Sequence, residues 1–247
     1  MITPNDIEKK SMTPEKRRTA KYDIFAFYVG RPFTYVLSVP FVQFRMSPNV
    51  ISLLSFFPSI AGFILLGFGT TRPVQIFGGF MFLLWSFMDG IDGNVARYYG
   101  ISSKMGELWD ATSGYFATML LYFSVGLCSM NTPMPDGSLL KNINIPTYYY
   151  AALGGLTSIF TMFYRLVMFK KMALFSSEVG REFTDKNTFS LSKIIAMNLT
   201  SSSGFMLVIM LAAIAVGYVR EFTIFFFLIH LAVTVKTLFM MLSMDGD

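Results

Sequence analysis

The chain has one cysteine and one histidine among 247 residues. Cys128 has no partner, which excludes a fold stapled by disulfides. A metal or catalytic centre built on histidines would have to rest on His230 alone, and is not expected. Charge is also scarce. Asp, Glu, Lys and Arg make up 14% of the chain, whereas a soluble domain carries about 25%. That is too little to cover a surface facing water. The first 21 residues hold six Lys/Arg and no apolar core, so they resemble neither a signal peptide nor a spanning helix. No internal repeat or low-complexity tract is present. Apolar material is abundant: 27 Phe, 18 Met and 53% hydrophobic residues overall. Such a composition excludes intrinsic disorder and predicts an all-α integral membrane protein.

A spanning helix needs about 20 mostly apolar residues. Uncharged runs of that order recur at Met46–Thr71, Pro73–Met88, Ala111–Pro135, Asn142–Tyr164 and Ile194–Val219. Phe222–Met244 is interrupted only by Lys236. Six spans are predicted, near 50–70, 74–98, 105–128, 147–169, 196–219 and 222–243. The uncharged stretch 32–44 is too short to cross. Its aromatic residues and flanking Arg31 and Arg45 predict an amphipathic helix lying in the interface; a seventh, tilted span is the alternative. Two parts are expected: residues 1–45 as a cytosolic arm with its interfacial helix, and 46–247 as the six-helix membrane domain. With six spans, fifteen Lys/Arg fall on the side of the termini and three (Arg72, Lys141 and Arg220) on the other. Positive charge marks the cytoplasmic side, so both termini are expected there. The basic excess then reads as topology and contact with membrane lipids. No basic groove interleaved with aromatics appears, so no nucleic-acid partner is expected.

Acids within the predicted spans cluster. Asp89 and Asp92 lie near the cytoplasmic end of the second span, and Glu107 and Asp110 near the start of the third. Carboxylates at such positions are costly and mark function. At about 100° per residue, Asp89, Asp92, Gly93 and Ala96 share one arc of a helix. The short link 98–104 makes the two spans antiparallel neighbours, so Asp89, Asp92 and Asp110 can converge. Converging carboxylates repel unless a cation lies among them, and oxygen-only ligands suit a hard divalent ion. Arg97 could hold a phosphate oxygen. The chemistry reads as a metal-assisted phosphate site at the cytosolic face. A proton or ion relay in a transporter and a purely structural ion pair are the alternatives.

Asp89-Gly-Ile-Asp92-Gly93-Asn-Val-Ala96-Arg97, eight further residues, then Gly106-Glu-Leu-Trp-Asp110 resembles the motif of the CDP-alcohol phosphotransferase family. That motif reads D-x2-D-G-x2-A-R, a spacer, then G-x3-D-x3-D. Seven of its eight fixed positions match. Ser47-Pro48-Asn49 before the first span and Arg31-Pro32 upstream are also similar to members of the family. The resemblance implies transfer of a phosphoalcohol group from a CDP-linked donor to an acceptor hydroxyl, with release of CMP. It implies two divalent ions, Mg²⁺ or Mn²⁺, held by Asp89, Asp92 and Asp110. Asn49, Gly93, Ala96, Arg97 and Gly106 would bind nucleotide and phosphate. CDP-diacylglycerol is the preferred donor, although Gly106-Glu-Leu-Trp-Asp110 looks like the stretch in enzymes using small CDP-alcohols. A homodimer and a bacterial cytoplasmic membrane setting, with the active site facing the cytosol, are further expectations.

The motif's last acid, presumed to act as general base, is replaced by Gly114. Glu107 lies about 20° from it around the helix but about 10 Å away along the axis, and helical side chains lean toward the N-terminus. Glu107 could add a metal ligand or orient the acceptor, and with Asp110 it completes the catalytic candidates. Three readings stay open: a transferase whose acceptor needs little deprotonation, one with a base from Glu107 or from Glu178, Glu182 or Asp185, or an impaired CDP-binding homologue or subunit. Arg165, Lys170, Arg181 and Lys193 are the candidates for binding an acceptor. His230 is expected to be a hydrogen-bonded structural residue.

Overall fold

The structure, a computed structural model, describes residues 2–174, 186–201 and 204–242. Arg181, Glu178, Glu182 and Asp185 therefore lie outside the described residues. Among the described residues the regular elements are helices. The arm holds α1 (Pro4–Ser11), α2 (Pro14–Ala20), a π-helical turn at Ala26–Gly30 and α3 (Arg31–Gln43). There follow α4 (Pro48–Phe68), α5 (Arg72–Tyr99), α6 (Lys104–Asn131), α7 (Tyr148–Leu174), α8 (Leu191–Thr200), α9 (Met206–Val216) and α10 (Val219–Leu242).

Five helices, α4 to α7 and α10, are long and apolar enough to cross a membrane. The segment expected as a single span near 196–219 is divided between α8 and α9, of 10 and 11 residues, each short of the bilayer thickness. Helix α8 stops at Ser201, which is extended. It is followed by a Ser/Gly run, 201–204, of weak helix formers. The arm also contains more structure than its composition suggests. Thr3 and Asp6 form a capping box on α1, and Thr13 caps α2 ahead of Pro14. Both starts use the oxygen-bearing caps and N-terminal prolines that satisfy or remove orphan amides.

The residues fall into two units. Unit 1 comprises Met1–Ile60, Met81–Ala117 and Asp185–Ile209. Its apolar centre joins Ile7 of α1, Tyr35 and Val42 of α3, Ile51 of α4, and Ile91 and Val95 of α5. Besides Tyr35 and Val42, helix α3 turns two hydroxyls inward, and part of its apolar surface faces outward. Thr34 and Ser38 are buried, whereas Phe33 and Val36 are exposed. Asn94 of α5 donates to Thr34 Oγ1 at 3.3 Å and to Ser38 Oγ at 3.1 Å. A Cβ on Gly90 would come within 2.9 Å of Thr34, so glycine there sets the α3–α5 distance.

Unit 2 comprises Ala61–Phe80, Thr118–Thr184 and Met210–Asp247. Here α6 and α7 cross at Gly126 and Gly154. A Cβ on either glycine would lie 2.7–2.8 Å from the other's Cα. Close approach through small residues is how helices pack when lipid removes the hydrophobic drive. His230 is buried and hydrogen-bonded to Tyr122 Oη at 2.8 Å, with Tyr164 stacked at 5.9 Å between ring centroids. It is packed as a structural residue. Serines and threonines inside this unit return their hydroxyls to backbone carbonyls, as Ser124, Thr157 and Thr161 do. Large apolar side chains such as Phe169, Phe225 and Phe239 face outward, the distribution suited to lipid.

Candidate active site

The spacing within the acidic motif has a local cause. Helix α5 ends at Gly100, whose φ of +66° is the left-handed conformation that glycine adopts without strain. Ile101 N–H bonds to Ala96 O at 2.8 Å and Gly100 N–H to Arg97 O at 3.3 Å, a Schellman-type stop. Three residues later Ser103 caps α6, its Oγ accepting from Gly106 N–H at 2.9 Å. The eight residues between Arg97 and Gly106 are therefore one helix stop, a short turn and one helix start.

This turn and the start of α4 bring the motif together. A cavity of about 550 Å³ in unit 1 is lined by Asp89, Asp92, Glu107 and Asp110. Its lining also includes Asn49, Gly93, Ala96, Arg97 and Gly106. The volume is that of a small-molecule site. Asn49 and Gly106 are close neighbours: a Cβ on Gly106 would lie 3.3 Å from Asn49 Oδ1.

The four acids differ in setting. Asp92 is buried, with 4% of its surface exposed. Its Oδ2 accepts a hydrogen bond from Ser52 Oγ at 2.5 Å. Glu107 and Asp110 are exposed to the cavity side, and Asp89 is intermediate. Arg97 folds back along its own helix. Its Nη2 donates to Asn94 Oδ1 at 3.3 Å, and a Cβ on Gly93 would meet that same nitrogen at 2.8 Å. Gly93 thus makes room for the guanidinium.

Position 114 lies one turn beyond Asp110 on α6. A Cβ there would meet nothing within 4 Å. Beside it, Ser113 is buried, within hydrogen-bond distance of Ser55 Oγ at 2.7 Å, and accepts from Trp85 Nε1 at 3.3 Å. Of the acceptor candidates, Lys193 begins α8 with its ammonium 3.5 Å above the Phe189 ring; it is not among the cavity-lining residues. Arg165 and Lys170 belong to α7 in unit 2.

Sequence reasoning missed Lys16, Arg31, Thr34 and Ser52, all of which line the cavity. Ser52 follows Asn49 by three residues on α4, a spacing that could have exposed it. Arg31 was visible only as part of Arg31-Pro32, and Lys16 gave no local signal.

Among the described residues no three of His, Cys, Asp or Glu are drawn together closely enough to hold an ion. The acids share a cavity without forming a closed cage. Their donor set, carboxylate oxygens only, fits a hard divalent cation in kind.

An all-α integral membrane protein whose paired acidic segments and two arginines line one cavity is the class defined by this geometry. A family model described as CDP-alcohol phosphatidyltransferase matches residues 45–235, more than three quarters of the chain, and the chain belongs to that family. The family transfers phosphoalcohol groups from CDP-alcohol donors to alcohol acceptors in membranes, in phospholipid biosynthesis, and is generally dependent on divalent metals. No curated protein matches the chain.

Proposed function

We propose that the chain transfers a phosphatidyl group from CDP-diacylglycerol to the hydroxyl of an alcohol, releasing CMP at the cytosolic face. The observation that carries this reading is the gathering of the motif residues of α5 and α6, with Asn49 of α4, around one cavity. Asp89, Asp92 and Asp110 are the residues to hold Mg²⁺ or Mn²⁺. A bound ion would neutralise charge on the transferring and leaving phosphates. Arg97, laid flat by Gly93, faces the donor phosphates, and Ala96, Asn49 and Gly106 leave room beside them for the nucleotide. Ser52 fixes the buried carboxylate of Asp92.

In the reaction the acceptor oxygen bonds to the phosphorus that carries the alcohol, and the bond from that phosphorus to the CMP oxygen breaks. The acceptor proton must leave. Asp110 and Glu107 are the exposed cavity carboxylates able to take it. Arg165, Lys170 and Lys193 stay candidates for the acceptor from the sequence, and assembly as a homodimer stays part of the reading on family grounds.

A second reading is favoured by Gly114: a CDP-binding membrane subunit without turnover. CMP release from CDP-diacylglycerol, measured on purified protein with a pool of alcohols and Mg²⁺, separates the two. Release that disappears in Asp92→Ala supports transfer. Stabilisation by CDP with no release from any acceptor supports the binding subunit.

A further inference from the structure

Three cations line the cavity, and two of them come from the arm. Lys16 belongs to α2, Arg31 opens α3, and Arg97 ends α5. The arm is fixed at several points, so Lys16 and Arg31 are wall residues rather than passing side chains. Ile7 of α1 is fully buried in one apolar cluster with residues of α3, α4 and α5. Lys10 bonds to Tyr98 O at 3.3 Å and lies 3.9 Å above the Tyr98 ring. Farther on, Asp23 pairs with Lys186 at 2.5 Å. Asn198 accepts from Ile24 N–H at 2.7 Å and donates to Tyr22 O at 2.6 Å.

The three cations face one another without a carboxylate in contact. Among the described residues none of them forms an ion pair. Arg31 Nε is buried with no hydrogen-bond partner among the described residues. Lys16 Nζ donates to Ser11 O at 3.5 Å. Burial, with Arg97 and Arg31 adding repulsion, lowers the Lys16 pKa to about 8. Three mutually repelling cations and an unpaired buried N–H are costly unless an anion joins them.

We infer that Lys16 and Arg31 form a seat for the phosphate of a phosphorylated alcohol acceptor, beside the donor diphosphate that Arg97 faces. The assignment rests on the transferase reading above and adds the chemical class of the acceptor. An acceptor phosphate held there keeps its free hydroxyl in the same cavity as Asp110 and Glu107. The arm then acts as part of the substrate site and selects anionic over neutral alcohols.

The test uses the full chain in phosphatidylcholine nanodiscs with Mg²⁺ and inorganic phosphate as the probe. Thermal stabilisation is titrated with phosphate, alone and in saturating CDP. Variants are Lys16→Gln, Arg31→Gln and, as an equal charge change away from the cavity, Lys9→Gln. The expected result is a phosphate response that persists with CDP bound. It should weaken about 10-fold or more in Lys16→Gln and Arg31→Gln, the scale of one charge-assisted hydrogen bond, and stay unchanged in Lys9→Gln. The CDP response of each variant reports its folding. Loss of the phosphate response on adding CDP would assign the seat to the donor and overturn the inference. So would an undiminished response in both cavity variants. A response only when phosphatidylglycerol is placed in the disc, and none to soluble phosphate, would overturn it in favour of a lipid headgroup. No response to CDP in any protein would instead sink the transferase reading itself.

Discussion

Gly114→Asp restores the missing motif carboxylate, and the structure sets what that should do. A Cβ at 114 meets nothing within 4 Å, so the side chain enters without displacing a neighbour. Exchanging glycine for aspartate inside a helix gains about 0.3 kcal/mol in propensity. A like charge four residues from Asp110 costs about 0.2–0.5 kcal/mol. The two nearly cancel. Stability should change by less than about 1 kcal/mol, which is roughly 2–4 °C in Tm for a chain of this size. The effect on rate should be far larger, because a positioned general base contributes about 10²–10⁴-fold. CMP release should therefore rise about 10²-fold or more at saturating donor, with donor KM little changed. Gly114→Asn is the control: the same shape without a base, the same Tm and no gain. The assay is chromatographic CMP release in nanodiscs beside thermal unfolding. A Gly114→Asp protein that keeps its Tm and gains no rate would refute the view that the absent carboxylate limits catalysis. A drop of 10 °C or more, beyond what about 2 kcal/mol accounts for, would refute the claim that the position opens onto free space.

Further outcomes follow from other contacts. Ser52→Ala removes the hydroxyl bonded to buried Asp92 and should lower stability by about 1–3 kcal/mol, read by thermal unfolding in Mg²⁺-free buffer. Gly93→Ala places a methyl 2.8 Å from the Arg97 guanidinium; this flexible end should swing aside, leaving Tm unchanged while CDP affinity falls about tenfold, or roughly 1.4 kcal/mol. At Gly154 the neighbour is backbone, so Gly154→Val should cost more than about 2 kcal/mol and lower the folded yield in detergent. Phosphate stabilisation should also weaken from pH 7 to 9. The folded pKa of Lys16, depressed to about 8, means that its charge is lost across that window. Arg31 and Arg97, the charges facing it, stay protonated, and a flat pH profile would contradict the seat's dependence on Lys16.

Composition and motif spacing determined a good deal. Scarce charge and long apolar runs made this an all-α membrane protein, because few charged side chains can be left in hydrocarbon. The four spans from Pro48 to Leu174 were legible for the same reason. The motif was readable because helical periodicity and a short turn are local properties, and Gly100 and Ser103 set that turn within a few residues. What only the tertiary structure decided depends on contacts between distant segments. The division of 191–216 into two helices accompanies the use of the Asn198 side chain to hold Tyr22 and Ile24 of the arm, over 170 positions away. Ser52 joined the site because α4 passes α5 at Asp92. Lys16 and Arg31 became cavity residues because Ile7, Lys10 and Asp23 pin the arm against the helices. Charge counting read those arm cations as topology, since the same lysine or arginine serves a headgroup or a substrate, and only the packing around it distinguishes the two.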